Sequence, residues 1–548
     1  MDRRPVPEAK NRLATFNDER SSIVDDVTRR VVGGRLGLAE HSPDASLEYV
    51  LNEVAFAEIQ RLQKNGSREN KKRLARWHDL AHKLGHMSEF DKRKELESIV
   101  RYHAQDIAGN FNPRVFRFAT DVLPPALSFL LNPISGFREG VRALGAMAEQ
   151  IRIEGPVDQI QRCCKRGTLV VTPTHSSNLD SIVLGFALNR VGLPPVTYGA
   201  GKNLFTNPFM SYFMENLGAY RVDRRMQFGL YKEILKEYST VLLERGYHSL
   251  FFPGGTRARS NMVEDKLKLG LLGTTVSAMV NRSQDAGDDI PRIYIVPVTI
   301  NYRLVLEAET LIEDYLEETG RSRYIIEDDE FSRLGRIVEF ARKTLAHEGA
   351  AVLRFGAPLD AFGNPVDAEG ESLDNRGHVL DPRGYLRDAT GTVQRDPQRD
   401  SVYTRVLGRK LSAAYRQNTV LMGTHIVARA CLEVAHRRTG IGDILRLMRL
   451  SESALAVPVE DLVQAVGQLR EAIVQQPENG VLDIALTTLT PKEIVDQTLH
   501  YMSTYHVRRV LYQSGSHIRV GSMKLLYYYR NRCAHVRFSL ASSGEETR

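Results

Sequence analysis

A histidine followed five residues later by an aspartate, His175-Ser176-Ser177-Asn178-Leu179-Asp180, is the pair in this chain best suited to moving a proton. The apolar run TLVVTPT leads into it and SIVLGFAL follows, so the spacing predicts a strand that ends where a helix begins. On an ideal helix a separation of five turns two side chains about 140° apart, so the pair meets only if His175 sits in the turn before the helix. Ser176, Ser177 and Asn178 are residue types suited to capping that turn. Asp180 can then hold one imidazole nitrogen as an N–H donor, leaving the other to take a proton from an alcohol. The same spacing recurs at His86-Met87-Ser88-Glu89-Phe90-Asp91, but in a charged helical stretch with no strand before it, and there it reads as a surface helix.

Further blocks supply positive charge and tight turns. Gly218-Ala219-Tyr220-Arg221-Val222-Asp223-Arg224-Arg225 reads as a short strand delivering guanidinium groups, whose planar forks suit a phosphate. Phe251-Phe252-Pro253-Gly254-Gly255-Thr256-Arg257-Ala258-Arg259-Ser260 is a strand opening into a glycine turn with N–H groups, a hydroxyl and arginines for an anion, and it lacks nucleotide P-loop spacing. Ile295-Val296-Pro297-Val298-Thr299-Ile300 reads as a buried strand, with Pro297 expected at an edge or strand end.

These blocks need a scaffold. Apolar and charged residues alternate at helical spacing from Ser46 to Gln105, so residues 1–150 read as a helical region. From Gly167 the short β-rich runs TLVVTPTH, HSLFFPGG, RIYIVPVTINY and AAVLRFGAPL alternate with helical stretches. That pattern predicts an α/β domain over 151–360, a mixed and mostly parallel sheet flanked by helices, with functional loops at the strands' C-terminal ends. Residues 361–400 are rich in Gly, Asp, Pro and Arg and read as a polar surface excursion. Helical spacing resumes over 401–548, with no repeat of 20 to 50 residues.

A chain of 548 residues exceeds what one hydrophobic core serves, and 42% hydrophobic with 26% charged residues describes a folded protein rather than a disordered one. Its net charge of +7 favours anionic partners. Nucleic acid is the least supported of these, since KNGSRENKKRLARW comes without any helix-turn-helix, RNA-binding or zinc pattern. The 4 cysteines form neither a disulfide framework nor a metal pattern, and Cys163-Cys164 is not placed as a nucleophile beside a base. The scattered histidines indicate no divalent metal site. The N-terminus carries no apolar signal core, and no apolar run reaches the roughly 20 residues of a spanning helix. Phe118 to Phe137 is the candidate for peripheral membrane contact, with a buried interdomain segment as the equal alternative.

In order and spacing the four blocks resemble the motifs of the glycerolipid acyltransferase superfamily: a histidine–aspartate motif, a glycine–arginine motif, an EGTR-like motif and a valine–proline strand. PPVTYGAGKNL, KLGLLGT, NYRLVLEAE, LRFGAPL, AAYRQNTVLMGTHIVARACLEV and LLYYYRNRCAHV extend the likeness over about residues 150 to 540, toward the bacterial glycerol-3-phosphate and peroxisomal dihydroxyacetone-phosphate branch. The resemblance implies acyl transfer from acyl-CoA or acyl carrier protein to a phosphate-bearing glycerol acceptor, without a cofactor, at the cytoplasmic face of the cell membrane. It implies His175 as general base and Asp180 as its partner. Arg224, Gly255, Thr256, Arg257, Arg259, Lys202 and Lys268 would bind substrate, and Gly218, Pro253, Gly254 and Pro297 would shape the site. Main-chain donors of the His175 or Gly254-Gly255 turn would meet the oxyanion. The acceptor stays open among glycerol 3-phosphate, dihydroxyacetone phosphate and lysophosphatidate, and a catalytically silent lipid-binding relative is the reading of a different class. The chain departs from the family at Gly254, where glutamate is usual, and at Arg221-Val222-Asp223, which is similar to the lysophosphatidate version.

Overall fold

The structure, a computed structural model, describes residues 12–118, 151–320 and 351–540 apart from 41–45, 65–67, 178, 203–204, 206–207, 286–289, 306, 505 and 507. The candidate membrane-contact segment lies outside the described residues beyond Phe118.

The first stretch is helical, with helices at Phe16–Ala39, Leu47–Gln63, Arg68–Lys83 and Glu89–Ile107. Ser88 caps the last of these by accepting the Asp91 N–H, and its hydroxyl donates to the Asp91 carboxylate at 2.6 Å. The second histidine–aspartate spacing is therefore a helix start, with His86 exposed in the preceding turn Leu84–His86. Ile23, Val27, Leu51, Val54, Leu96 and Val100 form one apolar cluster with Tyr220, Tyr231 and Tyr238. The helical layer thus covers one edge of the sheet.

That sheet contains β1 (Ile151–Glu154), β2 (Thr168–Pro173), β3 (Thr197–Gly201), β4 (Ala219–Val222), β5 (Ser249–Leu250), β6 (Ile293–Tyr302), β7 (Ala351–Phe355) and β8 (Leu359–Asp360). The strand order is β1-β7-β6-β2-β5-β3-β4, with β8 pairing β6. From β6 to β4 every pairing is parallel, whereas β7 and β8 run antiparallel to β6. The expected mixed, mostly parallel sheet is present. Every residue of β2 and β6 is buried, which is why those runs are continuously apolar instead of alternating.

Pro297 lies inside β6, a central strand, and not at an edge or strand end as the sequence led us to expect. Its carbonyl accepts the Gly356 N–H at 2.8 Å, so its backbone faces the flank shared by β7 and β8. On that flank the β8 pairing ends at Ile295 and the β7 pairing starts at Val298. The missing N–H falls in this interval, where no ladder bond is lost.

The polar excursion has an internal order of period seven. Asp360, Asp367, Asp374 and Asp388 each accept two backbone N–H bonds, from the residues two and four positions on. A glycine three positions after each of them, Gly363, Gly370, Gly377 and Gly391, takes a positive φ of 87°, 89°, 84° and 82°. Asp381 instead caps a short helical turn, Pro382–Leu386.

Beyond it, helices at Pro397–Asn418, Gly423–Thr439, Val459–Val474, Pro491–Thr504 and Met523–Asn531 complete the chain. Ile426, Leu432, Val466 and Leu525 share a single buried cluster with the sheet residues Leu169, Val296 and Leu353. The C-terminal helices are thus built into the sheet's own core.

Candidate active site

Because β2, β5, β3, β4 and β6 run the same way, the segments leaving them emerge along one edge of the sheet. His175 follows β2, Lys202 follows β3, Arg224 follows β4, the glycine turn follows β5 and Glu307 follows β6. Residues scattered over more than a hundred positions in sequence are gathered by the topology alone.

His175 occupies the turn before the helix Asp180–Arg190, and its Nδ1 lies 2.8 Å from Asp180 Oδ2. The side chain of His175 is 18% exposed and that of Asp180 is fully enclosed. Ser177 caps the turn as its residue type suggests, its hydroxyl accepting the Leu179 N–H at 3.3 Å, but most of the capping comes from the other side. The N-cap is Leu179, without a side-chain cap. It is the Asp180 carboxylate that accepts the N–H groups of Ser176 and Ser177, at 2.6 and 2.9 Å. Its other oxygen accepts the Tyr302 hydroxyl at 2.8 Å. A buried carboxylate with this many donors is held as an acceptor, which fixes Nδ1–H toward it and leaves Nε2 for the proton to be moved.

The surroundings hold the ring and the turn. Phe252 lies against the His175 ring, centroids 4.3 Å apart. The His175 N–H donates to Glu264 Oε1 at 2.7 Å, and its carbonyl accepts the Ala258 N–H at 2.7 Å. Ser177 donates to the buried Glu307 at 3.0 Å, and Glu307 lies 3.9 Å from Arg257. The fully buried Arg532 donates to the Ile300 carbonyl and to Asn301 Oδ1, both at 3.0 Å, which ties the last helix to the end of β6. Asn261 lies at the end of the same loop with φ 63° and donates to the Tyr528 carbonyl at 3.2 Å. Tyr302, Glu264 and Glu307 were not singled out from the sequence. Tyr302 and Glu307 lie in the NYRLVLEAE stretch, and Glu264 stands in the charged run Glu264-Asp265-Lys266.

The cations differ in their engagements. Lys202 is bound by Asp106 at 2.7 Å, and Arg259 pairs with Glu318 and, at 4.0 Å, Asp314. Arg224 is exposed at the sheet edge, and the Arg257 side chain is 27% exposed. Lys268 is exposed and folds over Gly255, where an added Cβ would meet its Cδ at 2.5 Å. Gly255 itself needs φ 74°. Gly218, at φ 86°, has space for no side chain, since a Cβ would lie 2.9 Å from Leu13. Pro253 accepts the Lys268 N–H through its carbonyl at 2.7 Å and Thr256 is exposed. The N–H groups of His175, Ser176, Ser177 and Gly255 are all committed inside the protein. All 4 cysteines are buried, and burial pushes the thiols of Cys163 and Cys164 up to about 11 and about 12.

Burial and the charge of Asp180 hold the Tyr302 hydroxyl well above the usual tyrosine range, so it remains a donor. Tyr302→Phe leaves one oxygen of Asp180 without its donor and is expected to lower the urea unfolding free energy by about 1–3 kcal/mol. An unchanged midpoint with an unchanged slope would show that this bond holds nothing.

The histidine–carboxylate pair thus lies at the C-terminal edge of a largely parallel sheet, with one imidazole nitrogen held and the other available to a proton. Residues 151–301 match the family described as Acyltransferase, so the α/β unit is similar to that family. The glycerol-3-phosphate acyltransferase of Pseudomonas aeruginosa (strain LESB58) is 26% identical over 273 residues, 50% of this chain and 28% of that protein. The glycerol-3-phosphate acyltransferase of Pseudoalteromonas translucida is 32% identical over 204 residues, 37% of this chain and 23% of that protein. The matches therefore span under a third of each relative's length. The crystal structure of the 1-acyl-sn-glycerophosphate acyltransferase PlsC of Thermotoga maritima aligns with 47% of this chain and 80% of that one, at 18% identity and a TM-score of 0.25, a likeness that carries no argument of its own.

Proposed function

We propose that this chain is a glycerol-3-phosphate O-acyltransferase, moving a fatty acyl group from acyl-CoA or acyl carrier protein to the sn-1 hydroxyl and giving lysophosphatidate. The observation that carries the reading is the His175–Asp180 bond of 2.8 Å at the edge where the sheet also presents its arginines. The names of the relatives supply the acceptor.

In this reading Nε2 of His175 takes the proton of the acceptor hydroxyl as its oxygen bonds to the thioester carbon. The C–S bond breaks, the sulfur leaves with that proton, and the new ester remains. Asp180 balances the transient imidazolium and keeps its tautomer. Arg224 and Arg257 hold the phosphate, and Lys202, Arg259 and Lys268 form the positive rim around them. With the N–H groups of His175, Ser176, Ser177 and Gly255 committed, the charge on the thioester oxygen falls to Thr256 and the remaining main-chain donors of the glycine turn. No cofactor is needed. The work is done peripherally at an anionic membrane surface, a placement supported by the net charge of +7. Among the described residues no helix is long and apolar enough to cross a membrane.

The test is free-thiol release from palmitoyl-CoA or palmitoyl-acyl carrier protein with anionic vesicles, comparing glycerol 3-phosphate, dihydroxyacetone phosphate, lysophosphatidate and no acceptor. Release dependent on glycerol 3-phosphate is the expected result. Dependence on either of the other acceptors would correct the substrate, and silence with all of them would leave a lipid-binding protein.

A further inference from the structure

Gly254 does not take the positive φ of its neighbour Gly255, so its backbone does not require glycine. What excludes a side chain there is Glu264, for an added Cβ would lie 2.4 Å from Oε2 and 2.6 Å from the carboxyl carbon. The Glu264 carboxylate has therefore moved into the volume that residue 254 leaves empty. Its Oε1 accepts the His175 N–H at 2.7 Å, while Oε2 is shut from solvent and has no hydrogen-bond partner among the described residues. An enclosed carboxylate oxygen without a partner is destabilising, and such groups persist where they serve a site. Nothing in the general-base step above uses this group.

We propose that Glu264 is a positioning residue for His175, its carboxylate seated against Gly254 and gripping the backbone of the His175 turn so that the imidazole keeps its place and its transient charge is balanced. The inference rests on the acyl-transfer reading for its turnover measurements but not for its chemical one. The charged and titratable groups around Glu264 are His175, Asp180, Arg532 and Tyr415, with Lys268 folded over the neighbouring Gly255. Burial, the largest influence, raises the Glu264 carboxyl to about 7. The negative charge facing the His175 turn is therefore present above about that pH and lost below it.

Glu264→Gln keeps an acceptor for the His175 N–H and removes the charge. We expect kcat to fall roughly tenfold, a loss of about 1.4 kcal/mol in transition-state stabilisation, with little change in either KM. The acid limb of the kcat–pH profile should also move to lower pH. Independently of turnover, the pH midpoint for carbethoxylation of His175 by diethyl pyrocarbonate, read by mass spectrometry, should move the same way. Gly254→Ala should reproduce the loss by displacing the carboxylate, and adding it to Glu264→Ala should cost nothing further. Circular dichroism and melting temperature accompany each variant, so that an unfolded one is set aside and the other arm decides. Unshifted midpoints with additive losses would overturn the inference, whereas a wild type inert toward every acceptor but with a shifted midpoint would overturn only the acyl-transfer reading.

Discussion

Replacing His175 by alanine is expected to slow acceptor-dependent thiol release by about 10²–10⁴-fold, the usual worth of a positioned general base. The fold should survive the change. The bonds that anchor the turn at this position are made by its backbone, the N–H to Glu264 and the carbonyl from Ala258, and alanine keeps both. Asp180 keeps its bonds from Ser176, Ser177 and Tyr302. A melting temperature within a degree or two of wild type beside an abolished rate is therefore the signature of a catalytic role. Residual turnover above about one tenth of wild type would remove His175 from the mechanism.

Asp180→Ala should be damaging in a different way. The enclosed carboxylate accepts from two backbone N–H groups, a tyrosine hydroxyl and the imidazole. Alanine strands these donors in a dry site, and the expected loss is about 3–5 kcal/mol of unfolding free energy together with activity. Asp180→Asn separates the two effects, because it retains an acceptor oxygen. It should recover much of the stability while the rate remains depressed by about 10²-fold or more, since an amide cannot balance an imidazolium. Urea unfolding and single-turnover rates on the three proteins decide the matter, and equal stabilities for Ala and Asn would mean that the charge, not the bonding, holds the turn.

Much of this site was readable from residue order, and the reasons are local. A β-rich run that meets histidine, small polar residues, aspartate and an apolar helix can place the pair in only one way. The rest depended on partners remote in sequence. Tyr302 reaches Asp180 only because β6 lies beside β2. Glu264 sits in a charged run, and its carboxylate has room beside the His175 turn because its neighbour in space, Gly254, lacks a side chain. Pro297 was expected at a strand end because its tolerance depends on where two partner strands change over, which no single strand announces. Strand β3, Thr197–Gly201, contains two glycines among its five residues and owes its conformation to pairing with β4 and β5. The period of seven over residues 360–391 is too short to register as a repeat of 20 residues or more.

That short period has a consequence for how the excursion can vary. Each aspartate satisfies the backbone of its own turn, and single bonds from the Leu373 N–H to the Pro365 carbonyl and from the Leu380 N–H to the Ser372 carbonyl, both 2.9 Å, join successive turns, so the segment is a string of like beads. The bead opened by Asp367 is fastened to the sheet, through Tyr294 to the Gly370 carbonyl and Arg292 to Glu371. The next, opened by Asp374, is largely exposed, and a side chain added at Gly377 would touch nothing. Length is therefore quantised here. A whole bead can be removed or duplicated at Asp374 with the bonds between neighbouring beads kept in register, whereas a single residue inserted there would break the turn it enters and its link to the next, leaving the later aspartates facing their glycines.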